Sequence, residues 1–265
     1  MGCLSCVTAC PSGVKYDQLI AATRPQIERN YPRGWGDRLL RHLIFSIFPY
    51  PQRLRLLLRP LGMYQQSGLQ KLVRSLGFLK AVAPQLAAME SLLPQVTSQA
   101  FGDRVAPVNP AQGVRRFRVG LILGCVQRLF NPEVNDATVR VLTANGCEVI
   151  VPPSQGCCGA LSHHQGQEVQ AQGFVRQMID SFADIDVDAI IINASGCGHT
   201  LKEYGQILAE DPDYAERARA FALKVKDVQE FLAEVGLTTP LAPLQETPLT
   251  VVYQDACHML HGQKT

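Results

Sequence analysis

Nine cysteines in 265 residues set the terms for the chemistry of this chain. Three stand at its start, Cys3, Cys6 and Cys10, spaced C-x2-C-x3-C and followed by Pro11. Five more, Cys125, Cys157, Cys158, Cys197 and Cys257, are spread over the second half, and the adjacent pair is followed by Gly159. Thiolates are soft donors, and several of them two or three residues apart on a turning loop can reach one small metal centre. An odd cysteine count, with no basic-then-apolar leader behind Met1-Gly2-Cys3, argues against a disulfide framework and for metal ligation or redox chemistry. For C-x2-C alone, a zinc knuckle, an iron–sulfur site and free thiols all stay open.

The elements that must position these thiols differ between the two halves. After Pro11 the pattern is helical: Asp17 to Ala22 opens a helix, residues 68–100 carry apolar positions at helical spacing, and Gly34, Gly36, Pro49, Pro51 and Pro60 punctuate the turns. Leu54, Leu56, Leu57, Leu58 and Leu61 read as core. Residues 102–116 read as a linker, with a domain boundary near residue 111. From Arg116 the texture becomes strand–helix–strand. Val119–Leu123 reads as a buried strand ending at Gly124-Cys125. A helix follows, with Asn131 as N-cap, Pro132 first and Gly146 closing, its inner face predicted as Val134, Ala137, Thr138, Val141 and Leu142. Further strands are predicted at Glu148–Val151, Ala189–Asn193 and Leu249–Tyr253. Helices are expected with Ala171, Phe174, Val175, Met178 and Phe182 on one face, through about residue 202, and over about 212–235.

This alternation implies a parallel sheet with right-handed crossovers. Cys125, Cys157, Cys158, Cys197 and Cys257 then all follow the carboxyl ends of predicted strands, the edge where open α/β sheets collect ligands. Cys147 starts a strand at the opposite end and reads as a small buried hydrophobe.

Composition narrows the class. Residues 1–110 carry 13 lysines and arginines against 5 acids, and the remainder 12 against 18. The basic half is read first as solvated helix faces and second as a surface for an acidic partner or anionic headgroups. Few aromatics interleave its arginines, so no nucleic-acid partner is expected. No apolar run reaches the length of a membrane span. A cytoplasmic protein is the expectation, with peripheral contact on the inner face of a membrane as the further option.

Two resemblances sharpen the reading. Cys3, Cys6, Cys10 and Pro11 resemble the last three-quarters of the bacterial ferredoxin run C-x2-C-x2-C-x3-C-P, whose fourth cysteine ligates the other 4Fe–4S cluster. The run's first cysteine would fall one residue before Met1. Cys125-x31-Cys157-Cys158-Gly159-x37-Cys197 resembles the cysteine-rich CCG domain of heterodisulfide reductase and related subunits, although Thr200 stands where that pattern often ends in a further cysteine. Cys10-Pro11-Ser12-Gly13-Val14-Lys15-Tyr16 and Asn193-Ala194-Ser195-Gly196-Cys197-Gly198, with Lys202-Glu203-Tyr204-Gly205, are similar to the glycolate oxidase iron–sulfur subunit branch. Gln254-Asp255-Ala256-Cys257-His258 resembles the start of a second CCG repeat.

The resemblance implies an α/β fold, a parallel-sheet CCG domain preceded by a helical ferredoxin-like segment. Its domains would be 1–110, 111–245 and the start of a second repeat over 246–265, in a chain cut at both ends. It also implies metal ligation by Cys3, Cys6 and Cys10 at cubanes and by Cys125, Cys157, Cys158 and Cys197 at the CCG site, with Cys257 belonging to the second repeat. The function implied is electron transfer from a flavoprotein subunit that carries FAD and oxidises a 2-hydroxy acid, toward a quinone-type acceptor. The chain has no G-x-G-x-x-G or P-loop to activate a substrate itself. A heterodisulfide-reductase-like, lactate or glycerol-3-phosphate dehydrogenase iron–sulfur subunit is the alternative within the class. A zinc or redox-switch protein is the alternative outside it. His163 and His164 read as solvated loop histidines, with proton donor or spare ligand as the functional option; His258 and His261 have a spacing usable on a helix.

Overall fold

The computed structural model describes residues 2–102, 105–239 and 250–264. The first part is helical: α1 (Ser5–Ala9), α2 (Tyr16–Asn30), α3 (Trp35–Ile47), α4 (Pro51–Gln66), α5 (Leu69–Leu76), α6 (Phe78–Val82) and α7 (Pro84–Ser91). Pro51 opens α4, where its missing N–H costs nothing. The predicted leucine core is half right. Leu54 and Leu58 are buried, while Leu56 and Leu57 face outward, because a helix carries residues four apart on one side.

The second part is a five-stranded sheet in the order β1-β3-β2-β4-β5. Its strands are β1 (Val108–Asn109), β2 (Phe117–Leu121), β3 (Cys147–Ile150), β4 (Ala189–Ile192) and β5 (Val225–Asp227). All neighbours are parallel except β1, which pairs antiparallel with β3. Between β2 and β3 lie α8 (Gln127–Phe130) and α9 (Pro132–Ala144), and between β3 and β4 lie α10 (Ala160–His164) and α11 (Glu168–Ser181). Then come α12 (Ser195–Lys202), α13 (Tyr204–Ile207) and α14 (Ala215–Lys224), and after β5, α15 (Val228–Val235). Alternate strand residues enter opposite cores. Ile190 and Ile192 pack with Val175, Met178, Leu201, Tyr204 and Phe221, whereas Leu121, Val149 and Ile191 pack with Leu142 and Phe231. Gly120 is required by close approach, since a Cβ there would lie 2.4 Å from a ring carbon of Phe182.

Four expectations need correction. Residues 225–227, expected within a helix, form β5; a three-residue strand between two helices leaves little periodicity to read. The predicted linker contains β1. The inner face of α9 is rotated: Asn135, Thr138 and Leu142 are buried, while Val134 and Val141 are exposed. Polar Asn135 faces inward because it has partners there, described below. Finally, Thr250–Tyr253 form no strand, and Val251, Val252 and Tyr253 are 77%, 95% and 74% exposed; Leu249 and the expected boundary at 245/246 lie outside the described residues.

The helical part docks on the α/β part through Leu54, Leu58, Ala100 and Leu129. Tyr50 meets Phe174 edge to face at 5.5 Å. Gln170 donates to the Phe45 carbonyl, and Gln167 to the Glu28 carboxylate, which also pairs with Arg33 and Arg41.

Candidate metal centre at the carboxyl edge of the sheet

β2 lies between β3 and β4, so the chain leaves β2 toward one neighbour and later returns on its other side. Ligands gather at such a switch point. Cys125 follows β2, Cys157 and Cys158 follow β3, and Cys197 sits in the first turn of α12 after β4. The structure brings these four together as the sequence predicts. Cys125 Sγ and Cys157 Sγ are 3.5 Å apart, Cys157 neighbours Cys158, and Cys158 neighbours Cys197. Gly159 holds φ +84°, a conformation that favours glycine. Its N–H reaches the Cys157 sulfur at 3.3 Å, so the CCG glycine both turns the chain into α10 and supplies a donor to a ligand atom.

A polar network that the sequence does not advertise fixes the loops. Asn193 Nδ2 donates to Asn135 Oδ1 and Thr138 Oγ1, both at 2.9 Å, and Asn135 Nδ2 donates to the Leu123 carbonyl at 3.0 Å. Gln155 continues the ladder past the end of β2, accepting from Leu123 N–H and donating to the Leu121 carbonyl. Tyr204, fully buried, donates to the Cys158 carbonyl at 2.8 Å.

The thiols of Cys125, Cys157 and Cys158 are held protonated. The contact with Cys157, then burial, pushes the Cys125 thiol up. Cys157 is eased by its contact with Cys125, but Cys158 and burial push it up on balance. Cys158 is eased by Cys157 and raised more strongly by Cys197 and burial. Crowded buried thiols become thiolates only when a cation offsets their charge, and ligation then releases the protons. The donor set therefore fits a thiophilic metal group in number and chemistry. Its spacing is tighter than a cluster needs: two thiolates on one ion at tetrahedral angles stand about 3.8 Å apart, and cysteines on separate irons stand wider. Among the described residues no three His, Cys, Asp or Glu are already arranged to hold a bare metal ion. Cys147 is fully buried at the far end of β3, with burial raising its thiol to about 11.

The remaining predicted ligands lie elsewhere. Cys3 and Cys6 line a cavity of about 160 Å³ between α1, α2, α10 and α12. Cys10 caps the end of α1. Cys257 is exposed, and the strand expected before it is not formed among the described residues.

The histidines correct the reading most. His163 and His164 belong to α10 and are half-buried, not solvated. Burial lowers both, His164 to about 3. His199 is lowered to about 4 by burial and then by His258. Glu203 lies between His199 at 3.4 Å and His163 at 3.9 Å, raised to about 7 by burial and then by Asp17.

Sequence comparisons agree with this geometry. Residues 119–202 match the family model of a cysteine-rich domain, and residues 36–93 match that of the glycolate oxidase iron–sulfur subunit linker region. The chain is an iron–sulfur protein of the cysteine-rich domain class.

Over its whole length it is similar to glycolate oxidase iron–sulfur subunits. It is 39% identical over its whole length to the probable glycolate oxidase iron–sulfur subunit of Bacillus subtilis (strain 168), covering 60% of that protein. It is 31% identical over 99% of its length to the glycolate oxidase iron–sulfur subunit of Escherichia coli (strain K12), covering 58% of it. Lactate utilization protein A of Geobacillus thermodenitrificans (strain NG80-2) is 33% identical over 56% of this chain and 61% of its own length. The chain thus spans about three-fifths of the first two relatives. No solved structure matches. No helix among the described residues is long and apolar enough to cross a membrane.

Proposed function

We propose that the chain is the electron-transferring iron–sulfur part of a 2-hydroxy acid oxidase, taking electrons from an FAD-carrying flavoprotein subunit and passing them toward a quinone-type acceptor. The observation that carries this reading is the meeting of Cys125, Cys157, Cys158 and Cys197 at the sheet's switch point. Similarity over the whole chain to glycolate oxidase iron–sulfur subunits supports it. A bound cluster would supply one-electron redox chemistry. Cys125, Cys157, Cys158 and Cys197 would hold one cluster as thiolates. Cys3 and Cys6 would hold part of a 4Fe–4S cubane at the cavity they line, and Cys10 would serve a second cubane.

The protein's own groups orient and shield these sulfurs. Gly159 N–H steadies Cys157, Tyr204 fixes the Cys158 backbone, and the core around Ile122, Val175 and Met178 packs against Cys158 and Cys197. Cys257 is assigned to the start of a second repeat. The basic residues of 1–110 suit contact with an acidic partner or with the inner face of a membrane.

The test is to reconstitute the chain anaerobically with iron and sulfide and mix it with the flavoprotein and glycolate. Bleaching of the cluster absorbance only when flavoprotein and substrate are both present supports the reading, and no bleaching contradicts it. A second reading is favoured by the 3.5 Å sulfur contact, which is close to the spacing of two thiolates on a single zinc ion. Zinc without acid-labile sulfide in the purified protein would establish that one.

A further inference from the structure

Five of the six histidines gather at one place. His163 and His164 come from α10, His199 from α12, and His258 and His261 from the turn at His258–Gln263. Ring centres stand 5.7 Å apart for His163–His164 and His164–His258, 5.6 Å for His199–His258, and 6.5 Å for His164–His199. His261 Nδ1 lies 2.8 Å from Thr8 Oγ1 on α1. The sixth, His42, is exposed on α3.

The position of this cluster gives it meaning. α10 begins just after Cys157-Cys158-Gly159, and α12 carries Cys197, so His163, His164 and His199 follow the sheet-edge thiols within a few residues along the same two helices. Across the cavity of about 160 Å³, His163, His164, His199 and Glu203 form one wall, and Cys3 and Cys6 form the other. Asp17 and Arg24 also face this space. His258 Nε2 is buried with no hydrogen-bond partner among the described residues, and it points at Gly2, beside Cys3, 3.8 Å from where a Cβ would stand. A buried nitrogen left unpaired is costly, so it calls for a partner. The rings are not set to chelate a bare ion. What they offer, beside the 3.5 Å contact of His164 Nε2 with Thr200 Oγ1, is N–H donors facing the space beside two cysteines, and hydrogen bonds to sulfur are a main control on the potential of an iron–sulfur centre.

We propose that His164 and His258 are positioning residues that donate hydrogen bonds to the sulfur of the iron–sulfur centre held by Cys3 and Cys6, so that the cysteine-rich domain completes the surroundings of the N-terminal site. The proposal rests on the reading that Cys3 and Cys6 ligate iron. Donors on the sulfur spread its negative charge and favour the reduced centre. Each imidazole therefore raises the midpoint potential of that centre and leaves its iron in place.

The test is potentiometric titration, followed by electron paramagnetic resonance, of the whole chain reconstituted with iron and sulfide. Wild type is compared with His258→Leu, His258→Gln, His164→Leu and the control His42→Leu. The expected result is a more negative midpoint for the Cys3/Cys6 centre in H258L and H164L, with iron and sulfide content unchanged. H258Q, which keeps an N–H donor, retains most of the wild-type value, and H42L is unshifted. The shift in H258L should vanish when Cys3 and Cys6 are both replaced by serine. A centre that assembles with the same midpoint in H258L and H164L as in wild type overturns the proposal and leaves the proposed function standing. Loss of iron in H258L makes the histidine a ligand and overturns the hydrogen-bonding role. Absence of any signal that depends on Cys3 and Cys6 overturns the parent reading of that site and this proposal with it.

Discussion

The two cysteine groups are positioned by different means. Cys125, Cys157, Cys158 and Cys197 hang from the ends of three adjacent parallel strands, so strand pairing alone brings residues up to 72 positions apart together. Cys157 and Cys158 are 2% exposed. Cys3, Cys6 and Cys10 sit on one short helix and its flanks, α1 buries no residue, and Cys6 is exposed. The first site is built by the core and should keep its shape without metal. The second shares its cavity with His163, His164, His199 and Glu203 of the α/β part.

Breaking the sheet should have the largest effect. Gly120→Val drives a side chain into the Phe182 ring. It should cost about 3 kcal/mol or more in denaturant unfolding of the metal-free protein and should remove iron from the sheet-edge site. Unchanged stability would show that the ring moves freely and that the core is not what places these thiols.

Asn193→Ala should come next. It removes the donor shared by Asn135 and Thr138 at the loop leading to Cys197, leaving Asn135 Oδ1 the longer 3.4 Å contact with Gln127 Nε2, which should cost about 1–3 kcal/mol by the same measurement.

Glu203→Gln probes the junction of the two regions. With its carboxyl raised to about 7 from an ordinary 4.5, the folded chain keeps a proton that the unfolded chain releases between those values, so Glu203 removes stability as pH rises through that window. His164 and His199, lowered to about 3 and about 4, act in the opposite direction, and their contribution is lost as pH falls below the ordinary 6.5. The glutamine variant should be more stable than wild type near pH 8 by about 2 kcal/mol, with the difference gone near pH 4. Thermal melts across that range would show it, and parallel curves would contradict it.

Val252→Ser, 95% exposed and outside both sites, should change stability by no more than about 0.5 kcal/mol.

The sheet-edge site was legible because its signals are local. Strand-length apolar runs were each followed by a cysteine in the next loop or turn, and β2, β3, β4 and the inner face of α11 lie close to where the pattern puts them. The buried polar face of α9 was not legible, since Asn135 is an interior residue only because Asn193 and the Leu123 carbonyl meet it. β5 was too short to carry a period. The histidine cluster was hidden for another reason: His164, His199 and His258 are brought together by chain folding over distances that no local spacing records.

The central claim is that the sheet-edge thiols hold an iron–sulfur cluster, and the most direct measurement is iron and acid-labile sulfide after anaerobic reconstitution. Wild type, Cys157→Ser/Cys158→Ser and Cys147→Ser are compared. Serine is a poor substitute for a soft thiolate ligand, and Cys147 lies fully buried at the far end of β3. The account predicts that iron and sulfide fall together in the double variant and are unchanged in Cys147→Ser. Equal losses in the two variants, or zinc without sulfide in the wild type, would contradict it.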